Sequence, residues 1–469
     1  MRASFNHVLS PFRIILFSYV AAMFLFSLLL YLPVSQQPGV EMGYAEALFT
    51  SVSAVSVTGL TVIDVSETLS YTGVFFLALA TQIGGIGIMT LGTLLWMLFR
   101  RKINLSQRML IMVDQNQNKF AGLVSLMRGI FAVALLIELV GALILGTYYL
   151  TYFENVGEAY YHGAFAALSA FTNSGFDITG QSLIPFANDY FVQTITMLLL
   201  FAGAIGFPVL LELKHFLSRK THLFKFSLFT KITTTTYFII FVIGALGIWA
   251  MESGNVFQGV SWHQQLATSL FASATARSAG LSTFNVSEFG SATLLFLSGL
   301  MIIGASPSSA GGGIRTTTIA VMFLSIKSFA LGKEDVKVFG REIHPDDRQK
   351  AFIVLSVFFL LLFIAITLIV AFEGEADIPL IAIIFETASA FGTCGLSLGI
   401  TSELSMPSQV VLIVLMLIGR VGLIAFLFSI RKKREEESFQ ISDRANYYWI
   451  IAKESSPVYV LFSDTRRNR

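Results

Sequence analysis

The chain has 469 residues, of which 55% are hydrophobic and 13% are charged, and its formal net charge is +2. A soluble domain carries about 25% charged residues, so this composition excludes an ordinary soluble protein and indicates a surface that contacts lipid. The single cysteine, Cys394, excludes an intrachain disulfide, and the small net charge identifies no partner.

Lysine and arginine occur in clusters, and these clusters predict the membrane topology. Residues 14–99 and 129–213 contain neither, whereas basic clusters follow each of these stretches and recur at 327–350 and from 431 onwards. Because cytoplasmic loops collect Lys and Arg, we expect the clusters and both termini to lie in the cytoplasm. Each interval between clusters must then contain an even number of membrane crossings.

One eight-residue segment recurs in every interval, and the second-last residue of each copy is a glycine. The four copies are SAVSVTGL at 53–60, SAFTNSGF at 169–176, ATARSAGL at 274–281 and SAFGTCGL at 389–396. A second glycine recurs in the apolar segment that follows, as Gly84, Gly203, Gly304 and Gly419. Two landmarks that repeat four times in register predict four copies of one structural unit.

Each unit is interpreted as a long outer helix, a short helix, a turn at the first glycine and an inner helix. Outer helices are predicted to begin near residues 12, 129, 232 and 352, and inner helices near 72, 190, 292 and 408. A short helix such as 46–56 or 385–392 has too few turns to cross a bilayer, so it must enter and leave on one side. The predicted fold is an all-α polytopic membrane protein with eight transmembrane helices and four helix–re-entrant pore loop–helix repeats around a central pore.

The charge clusters place the boundaries between these repeats. Repeat 1 is predicted to cover residues 1–112, repeat 2 residues 113–225, repeat 3 residues 226–348 and repeat 4 residues 349–435, with a cytoplasmic tail at 436–469.

Four re-entrant loops around one axis would bring four backbones together, so that carbonyl oxygens replace the hydration shell of a cation. Glycine permits the required backbone conformations, and the carboxyl ends of the short helices carry partial negative charge. The residues predicted to bind the ion are Val57, Thr58, Gly59, Asn173, Ser174, Gly175, Ser278, Ala279, Gly280, Thr393, Cys394 and Gly395. The alternative, that these glycines only pack helices together, suits one glycine better than four in register.

The third inner helix is predicted to break, because Pro307 and three successive glycines fall within residues 304–318. A loop of small residues at that depth could close the pore. Arg420 follows the second recurring glycine of repeat 4, and a charge at membrane depth needs a partner, so we expect it to bind and latch the loop. The predicted gate residues are Ser306, Gly311, Gly312, Gly313, Arg315 and Arg420.

Two further charged residues fall inside the repeats. Arg277 precedes the filter glycine of repeat 3 and is expected to pair with an acid such as Glu288. Glu386 is expected to open the short helix of repeat 4, where a negative charge favours the amino end.

The segments VTGLT at 57–61, NSGFD at 173–177, AFGTCGLS at 390–397 and the loop at 304–318 resemble the bacterial Trk/Ktr/HKT potassium transporter superfamily. The resemblance covers roughly residues 12–433 and is closest to the KtrB-type membrane subunits of Ktr systems. It implies uptake of K⁺, bound at the filter, by a homodimer in the lipid bilayer of the bacterial cytoplasmic membrane. It also implies a KtrA-like cytoplasmic ring, which binds the regulatory nucleotide in place of this chain.

Further implications of the resemblance concern the ion. Gly59 implies preference for K⁺, because plant relatives with serine at that position favour Na⁺; stimulation by Na⁺ is left open. No covalent cofactor and no nucleic-acid partner are implied. The tail after Arg434 departs from the family ending, which leaves its part in dimer contacts undefined.

Two other transport functions remain as alternatives. Na⁺-selective transport needs the same architecture, and a secondary carrier for a small solute also uses repeats and broken helices, although usually as inverted repeats of whole helices. An enzyme is not predicted, because the sequence has no HExxH motif, phosphate-binding loop or nucleophile elbow.

Overall fold

Four long apolar helices dominate the fold, which we describe from a computed structural model of the chain. The structure describes residues 11–90, 92, 108–110, 112, 123–218, 225–333, 335–374 and 378–430. Outer helices 1 to 4 are Pro11–Tyr31, Leu123–Tyr149, Leu228–Glu252 and Pro345–Glu373. Each is long and apolar enough to cross a bilayer and begins close to its predicted start. The predicted tail, 436–469, lies outside the described residues.

A short, largely buried helix follows each outer helix. Short helices 1 to 4 are Tyr44–Ser56, Val156–Thr172, Trp262–Thr275 and Leu380–Gly392. They have lengths of 13 to 17 residues, or about 20–25 Å, which is less than the ~30 Å hydrocarbon core of a bilayer. One expectation is wrong: Glu386 lies in the middle of short helix 4, because that helix begins at Leu380, directly after Pro379.

The inner helices are interrupted near mid-length. Inner helix 1 is Tyr71–Ile86, and the two halves of inner helices 2 to 4 are Tyr190–Ala204 with Phe207–Ser218, Ser291–Ile302 with Thr316–Ala330, and Met406–Val421 with Leu423–Ile430. The helix direction changes by 106° between the halves of inner helix 2 and by 102° between those of inner helix 4. The sequence predicts an interruption in inner helix 3 alone.

Glycines in the left-handed region produce the additional breaks. Gly87, Gly206 and Gly422 have φ angles of +97°, +103° and +88°. Each stands three residues after the second recurring glycine of its repeat, where repeat 3 has Pro307. The recurring spacing Gly-x-x-Gly or Gly-x-x-Pro is therefore the sequence signal for these breaks.

Within the described residues, four single helices could span a membrane, or up to six if each bent pair counts as one span. The chain is therefore a mostly helical membrane protein with several apolar spans. The remaining described elements are small. They are the helical turns Pro33–Ser35, Val65–Thr68, Ile184–Phe186, Val286–Glu288 and Ile400–Ser402, and an antiparallel pair of strands, Lys337–Val338 and Arg341–Glu342.

The core lies around the short helices, whereas most of the outer-helix surface is exposed to the surroundings. Phe49 and Phe385, each ten residues before its recurring glycine, are completely buried. Each short helix packs against the inner helix of the preceding repeat, and short helix 1 packs against inner helix 4. The four repeats therefore close into a circle with the short helices inside.

Candidate functional site

The four recurring glycines at the ends of the short helices meet one another in a ring. A methyl group added to Gly175 would lie 2.7 Å from the carbonyl oxygen of Ala279 and 3.0 Å from Cα of Gly280. One added to Gly280 would lie 2.5 Å from the carbonyl oxygen of Cys394 and 3.1 Å from Cα of Gly395. The same relation joins Gly395 to Gly59 and Gly59 to Gly175, through the carbonyl oxygens of Thr58 and Ser174. The four loops therefore place backbone oxygens face to face around one point.

The backbone of each loop alternates in the sign of φ. The ring glycines have φ angles of +90°, +71°, +70° and +93° in chain order. The residues two positions earlier, Val57, Asn173, Ser278 and Thr393, also have positive φ, whereas the residues between do not. Non-glycine residues rarely adopt this conformation, and they do so at a cost of about 1–3 kcal/mol. The alternation turns successive peptide planes over, so that carbonyls which would point to opposite sides of an ordinary strand can share one side.

Three of the short helices end with the same capping pattern. In repeat 1 the amide of Val57 donates to Ala54 O (3.1 Å) and the amide of Thr58 donates to Ser53 O (2.8 Å). The loops of repeats 2 and 4 repeat both bonds at the equivalent residues. This pattern terminates a helix through a left-handed residue, and it leaves the partly negative helix end beside the ring. Repeat 3 differs, because the amide of Ala279 donates to Thr275 O (3.0 Å) instead.

Hydroxyl groups on the short helices hold the loops from behind, and the sequence-based prediction missed them. Ser53 Oγ accepts the amide of Gly59 (3.0 Å), and Ser389 Oγ accepts that of Gly395 (3.1 Å). The hydroxyls of Ser169 and Thr275 instead donate to Phe176 O (2.7 Å) and Leu281 O (2.5 Å). The signal for them is Ser-Ala at six and five residues before the ring glycine, which is present in three of the four repeats.

The second series of glycines allows the inner helices to approach the loops closely. A side chain at Gly84, Gly203 or Gly419 would collide with the carbonyl oxygen four residues before the ring glycine of the same repeat. These glycines therefore let the inner helices pack closely against the short-helix ends, which is a packing role. In repeat 3, Gly304 instead faces the carbonyl oxygen of Gly312.

The gate segment, predicted within residues 304–318, forms a loop against the ring over residues 303–315; we call this stretch the intramembrane loop. Its backbone amides bind two neighbouring inner helices: Ser306 N donates to Ala204 O (3.0 Å) and Gly313 N to Gly419 O (3.3 Å). Gly312 N donates to two hydroxyls of the ring loops, Thr393 Oγ1 (2.8 Å) and Ser278 Oγ (3.1 Å). Repeats 2, 3 and 4 therefore all hold this loop.

Both arginines predicted for the gate contact the intramembrane loop. Arg420, which is 6% exposed, donates to Ala310 O in the loop and to Gly84 O and Gly85 O of inner helix 1. Arg315 Nη1 donates to Gly311 O (2.5 Å). The loop carbonyl expected for Arg420 is thus present, and the two carbonyls of inner helix 1 are additional. The guanidinium of Arg420 joins the loop to the one repeat that the loop amides do not reach.

On the opposite side of the ring, an open vestibule of about 570 Å³ is lined by the residues that follow the ring glycines. Its walls include Asp64 and Asp177, so it offers acidic groups to an approaching cation. Glu386 is completely buried beside it and accepts hydrogen bonds from Ser397 Oγ (2.5 Å) and Leu398 N (3.0 Å). This carboxylate therefore holds the segment that leads from the ring to the vestibule wall.

We expect Glu386→Leu to destabilise the protein by about 3 kcal/mol, because buried hydroxyl and amide donors lose their acceptor. Thermal unfolding in detergent would measure the effect. Glu403→Leu is the matched control, since Glu403 is exposed in the same connection. Equal melting temperatures for the two variants would contradict the assigned role of Glu386.

The expected ion pair of Arg277 is wrong. Glu288 is exposed, whereas Arg277 is completely buried and donates through Nη1 to Tyr237 O (2.6 Å) in outer helix 3. Its guanidinium carbon lies 3.7 Å from the centre of the Tyr237 ring. A backbone carbonyl and an aromatic face thus take the place of the predicted acid.

Comparison with known proteins places the chain among cation transport proteins. Residues 11–441 match the family described as TrkH, cation transport protein. The Ktr system potassium uptake protein D of Bacillus subtilis (strain 168) is 50% identical over 442 residues, which cover 94% of this chain and 98% of that protein. The Ktr system potassium uptake protein B of the same organism is 33% identical and covers 91% of this chain and 94% of its own. The resemblance to Ktr subunits is confirmed, and protein D is more similar to this chain than protein B.

A solved structure shares the fold. The crystal structure of the potassium transporter TrkH from Vibrio parahaemolyticus superposes with a TM-score of 0.73 and covers 92% of this chain and 87% of its own. Sequence identity is 18%, so this likeness concerns the fold alone.

Proposed function

The chain belongs to the TrkH family of cation transport proteins, and we propose that it takes up K⁺ through the ring of Gly59, Gly175, Gly280 and Gly395. The observation that carries this proposal is the closed ring itself, in which each glycine lies against a carbonyl of the next loop. The protein is a transporter and not an enzyme. K⁺ is its cargo, and the filter consists of the predicted ion-binding residues in the four loops.

The chemistry of the ring suits a large monovalent cation. Alternating φ signs allow several carbonyls of each loop to face the axis, where they replace the water of a dehydrated ion. The ends of the short helices add partial negative charge without adding a carboxylate. Such a site binds a cation firmly enough to admit it and weakly enough to release it, and Asp64 and Asp177 raise the cation concentration at the entrance.

The topology that we propose has eight membrane crossings in four repeats, residues 1–112, 113–225, 226–348 and 349–435, with both termini in the cytoplasm. Four spanning outer helices and the bent inner pairs support it, as do the basic clusters between repeats. The location is the bacterial cytoplasmic membrane, in keeping with the bacterial source of the similar Ktr proteins.

The intramembrane loop is proposed to be the gate. Its hydrogen bonds to inner helices 2 and 4 and to the filter hydroxyls describe a closed state, which Arg420 latches to inner helix 1. Opening requires these bonds to break together. Ser306, Gly311, Gly312, Gly313 and Arg315 belong to the moving segment.

Regulation is proposed to come from other chains. The similar Bacillus proteins are named as parts of Ktr systems, which supports a partnership with Ktr regulatory proteins. We propose a homodimer in the membrane with a nucleotide-binding ring on its cytoplasmic face. The regulatory nucleotide would bind this cytoplasmic assembly, and the present chain would bind no nucleotide.

Expression in a bacterial strain that lacks its own K⁺ uptake systems tests the function. We expect the chain to restore growth at low external K⁺ and to take up K⁺ without accumulating Na⁺. Uptake of Na⁺ in preference to K⁺ would replace the proposal with Na⁺-selective transport. Proton-coupled uptake of an organic solute without K⁺ flux would replace it with a secondary carrier.

A further inference from the structure

The filter loop of repeat 3 lacks a support that the other three loops have. In repeats 1, 2 and 4 the inner-helix glycine packs against the carbonyl four residues before the ring glycine. The first half of inner helix 3 ends at Ile302, and Gly304, within the intramembrane loop, packs against Gly312 of the same loop instead. In repeat 3, therefore, the glycine equivalent to Gly84, Gly203 and Gly419 faces the proposed gate and not the end of its own short helix.

Arg277 lies one residue after the carbonyl that corresponds to this support, three residues before Gly280. The residues at the equivalent position of the other repeats are Ser56, Thr172 and Gly392. The hydroxyls of Ser56 and Thr172 bond within their own short-helix segments, to Ser53 O (3.2 Å) and Leu168 O (2.7 Å). Arg277 instead reaches across to outer helix 3, where it donates to Tyr237 O (2.6 Å).

The end of short helix 3 contacts outer helix 3 through two residues that lie one helical turn apart. Ser273 Oγ donates to Phe241 O (2.7 Å) one turn before Arg277 donates to Tyr237 O. The guanidinium carbon also lies 3.7 Å from the centre of the Tyr237 ring and 5.6 Å from the centre of the Phe241 ring. Because a guanidinium is planar and always charged, it can stack and donate at the same time, which a lysine cannot do.

From this geometry we infer that Arg277 is a positioning residue, which anchors the third filter loop to outer helix 3 so that the loop stays in the ring when the gate moves. The inference rests on the proposed function. Ser278, the next residue, bonds both Thr393 of the filter and Gly312 of the gate. Without the anchor, motion of Gly312 would pull on Ser278 and distort the ring.

K⁺/Na⁺ discrimination in uptake tests this anchor, since a residue of purely structural importance would change protein abundance and leave discrimination intact. Loss of a charge-assisted hydrogen bond is expected to reduce discrimination about tenfold in Arg277→Met. Arg277→Lys should show a similar loss, because the ammonium keeps the charge without the stacked fork. The loss should be larger when each variant is combined with Arg420→Ala, which unlatches the gate.

Two results would overturn the inference. One is wild-type discrimination in Arg277→Lys, which would assign the effect to charge. The other is wild-type discrimination in Arg277→Met at normal abundance in the membrane. In both cases K⁺ uptake by the unmodified protein would leave the proposed function standing, whereas absence of K⁺ uptake by the unmodified protein would remove it.

If Arg277→Met does not reach the membrane, a second pair of variants can test the anchor. Tyr237→Phe keeps the ring and the carbonyl, and it removes a buried hydroxyl that has no hydrogen-bond partner among the described residues, so we expect wild-type discrimination. Tyr237→Leu removes the stacked ring and should lower discrimination about threefold. Equal discrimination in these two variants would count against the anchor.

Discussion

Replacing Gly59 with alanine is expected to reduce K⁺ uptake at least about a hundredfold. The added methyl group would collide with the carbonyl oxygen of Ser174 and lie 3.1 Å from Cα of Gly175. Since both are backbone atoms of the adjacent filter loop, neither can move without opening the ring. The left-handed φ of +90° adds about 1–2 kcal/mol of strain. Initial rates of K⁺ uptake in the K⁺-deficient strain would measure the loss.

Gly39 provides a matched control in the same repeat. Its φ is +87°, so alanine meets comparable backbone strain there, but no atom lies within 4 Å of the added methyl. We expect Gly39→Ala to retain uptake within about threefold of the wild type. Comparable uptake by the two variants would show that the filter glycines tolerate a side chain, and the ring would then not be the path of the ion.

The second large effect is expected for Arg420→Ala. This change removes the hydrogen bonds that tie the intramembrane loop, through Ala310 O, to Gly84 O and Gly85 O of inner helix 1. A hydrogen bond to a charged group stabilises by about 1.5–3 kcal/mol, so the closed state should become roughly a hundredfold less populated relative to the open state. Rb⁺ flux into proteoliposomes without any regulatory partner should rise accordingly.

Lys327→Ala is a suitable control, because Lys327 is an exposed basic residue at the far end of inner helix 3 and contacts neither the loop nor the ring. It should leave basal flux unchanged. Basal Rb⁺ flux in Arg420→Lys should fall between the wild-type and Arg420→Ala values, since one ammonium group cannot donate to both the loop and inner helix 1 as the guanidinium does. Basal flux in Arg420→Ala that equals the wild-type value would refute the latch.

The recurring motif made the order of elements predictable from the sequence. Four glycines in register, each after a short polar-apolar segment, specify a repeated unit, and the apolar runs between basic clusters specify the outer helices. These signals act over many residues, so a local ambiguity does not remove them. The alternating φ signs and the cyclic contact of the loops follow from packing among repeats, which no single segment encodes.

The errors have local causes. A single glycine in an apolar helix is compatible with a straight helix, so the breaks at Gly87, Gly206 and Gly422 become visible only when the repeats are aligned. The sequence predicts an acidic partner for Arg277 because buried charges are usually paired with opposite charges. In the structure a backbone carbonyl and an aromatic ring contact it, and the sequence does not show which carbonyls lie nearby. Pro379 was a usable signal for the start of short helix 4.

The bends in inner helices 2 and 4 limit the ways in which the proposed pore can close. Straight helices that line a pore below its filter can close it when each helix tilts slightly and their ends converge on the pore axis. Here the lower halves of inner helices 2 and 4 turn away by more than a right angle, at 106° and 102°, so tilting them would not draw their ends together on the axis. Under the proposed gating, closure comes instead from the intramembrane loop, which belongs to a single repeat, so one movement of that loop would open the whole passage.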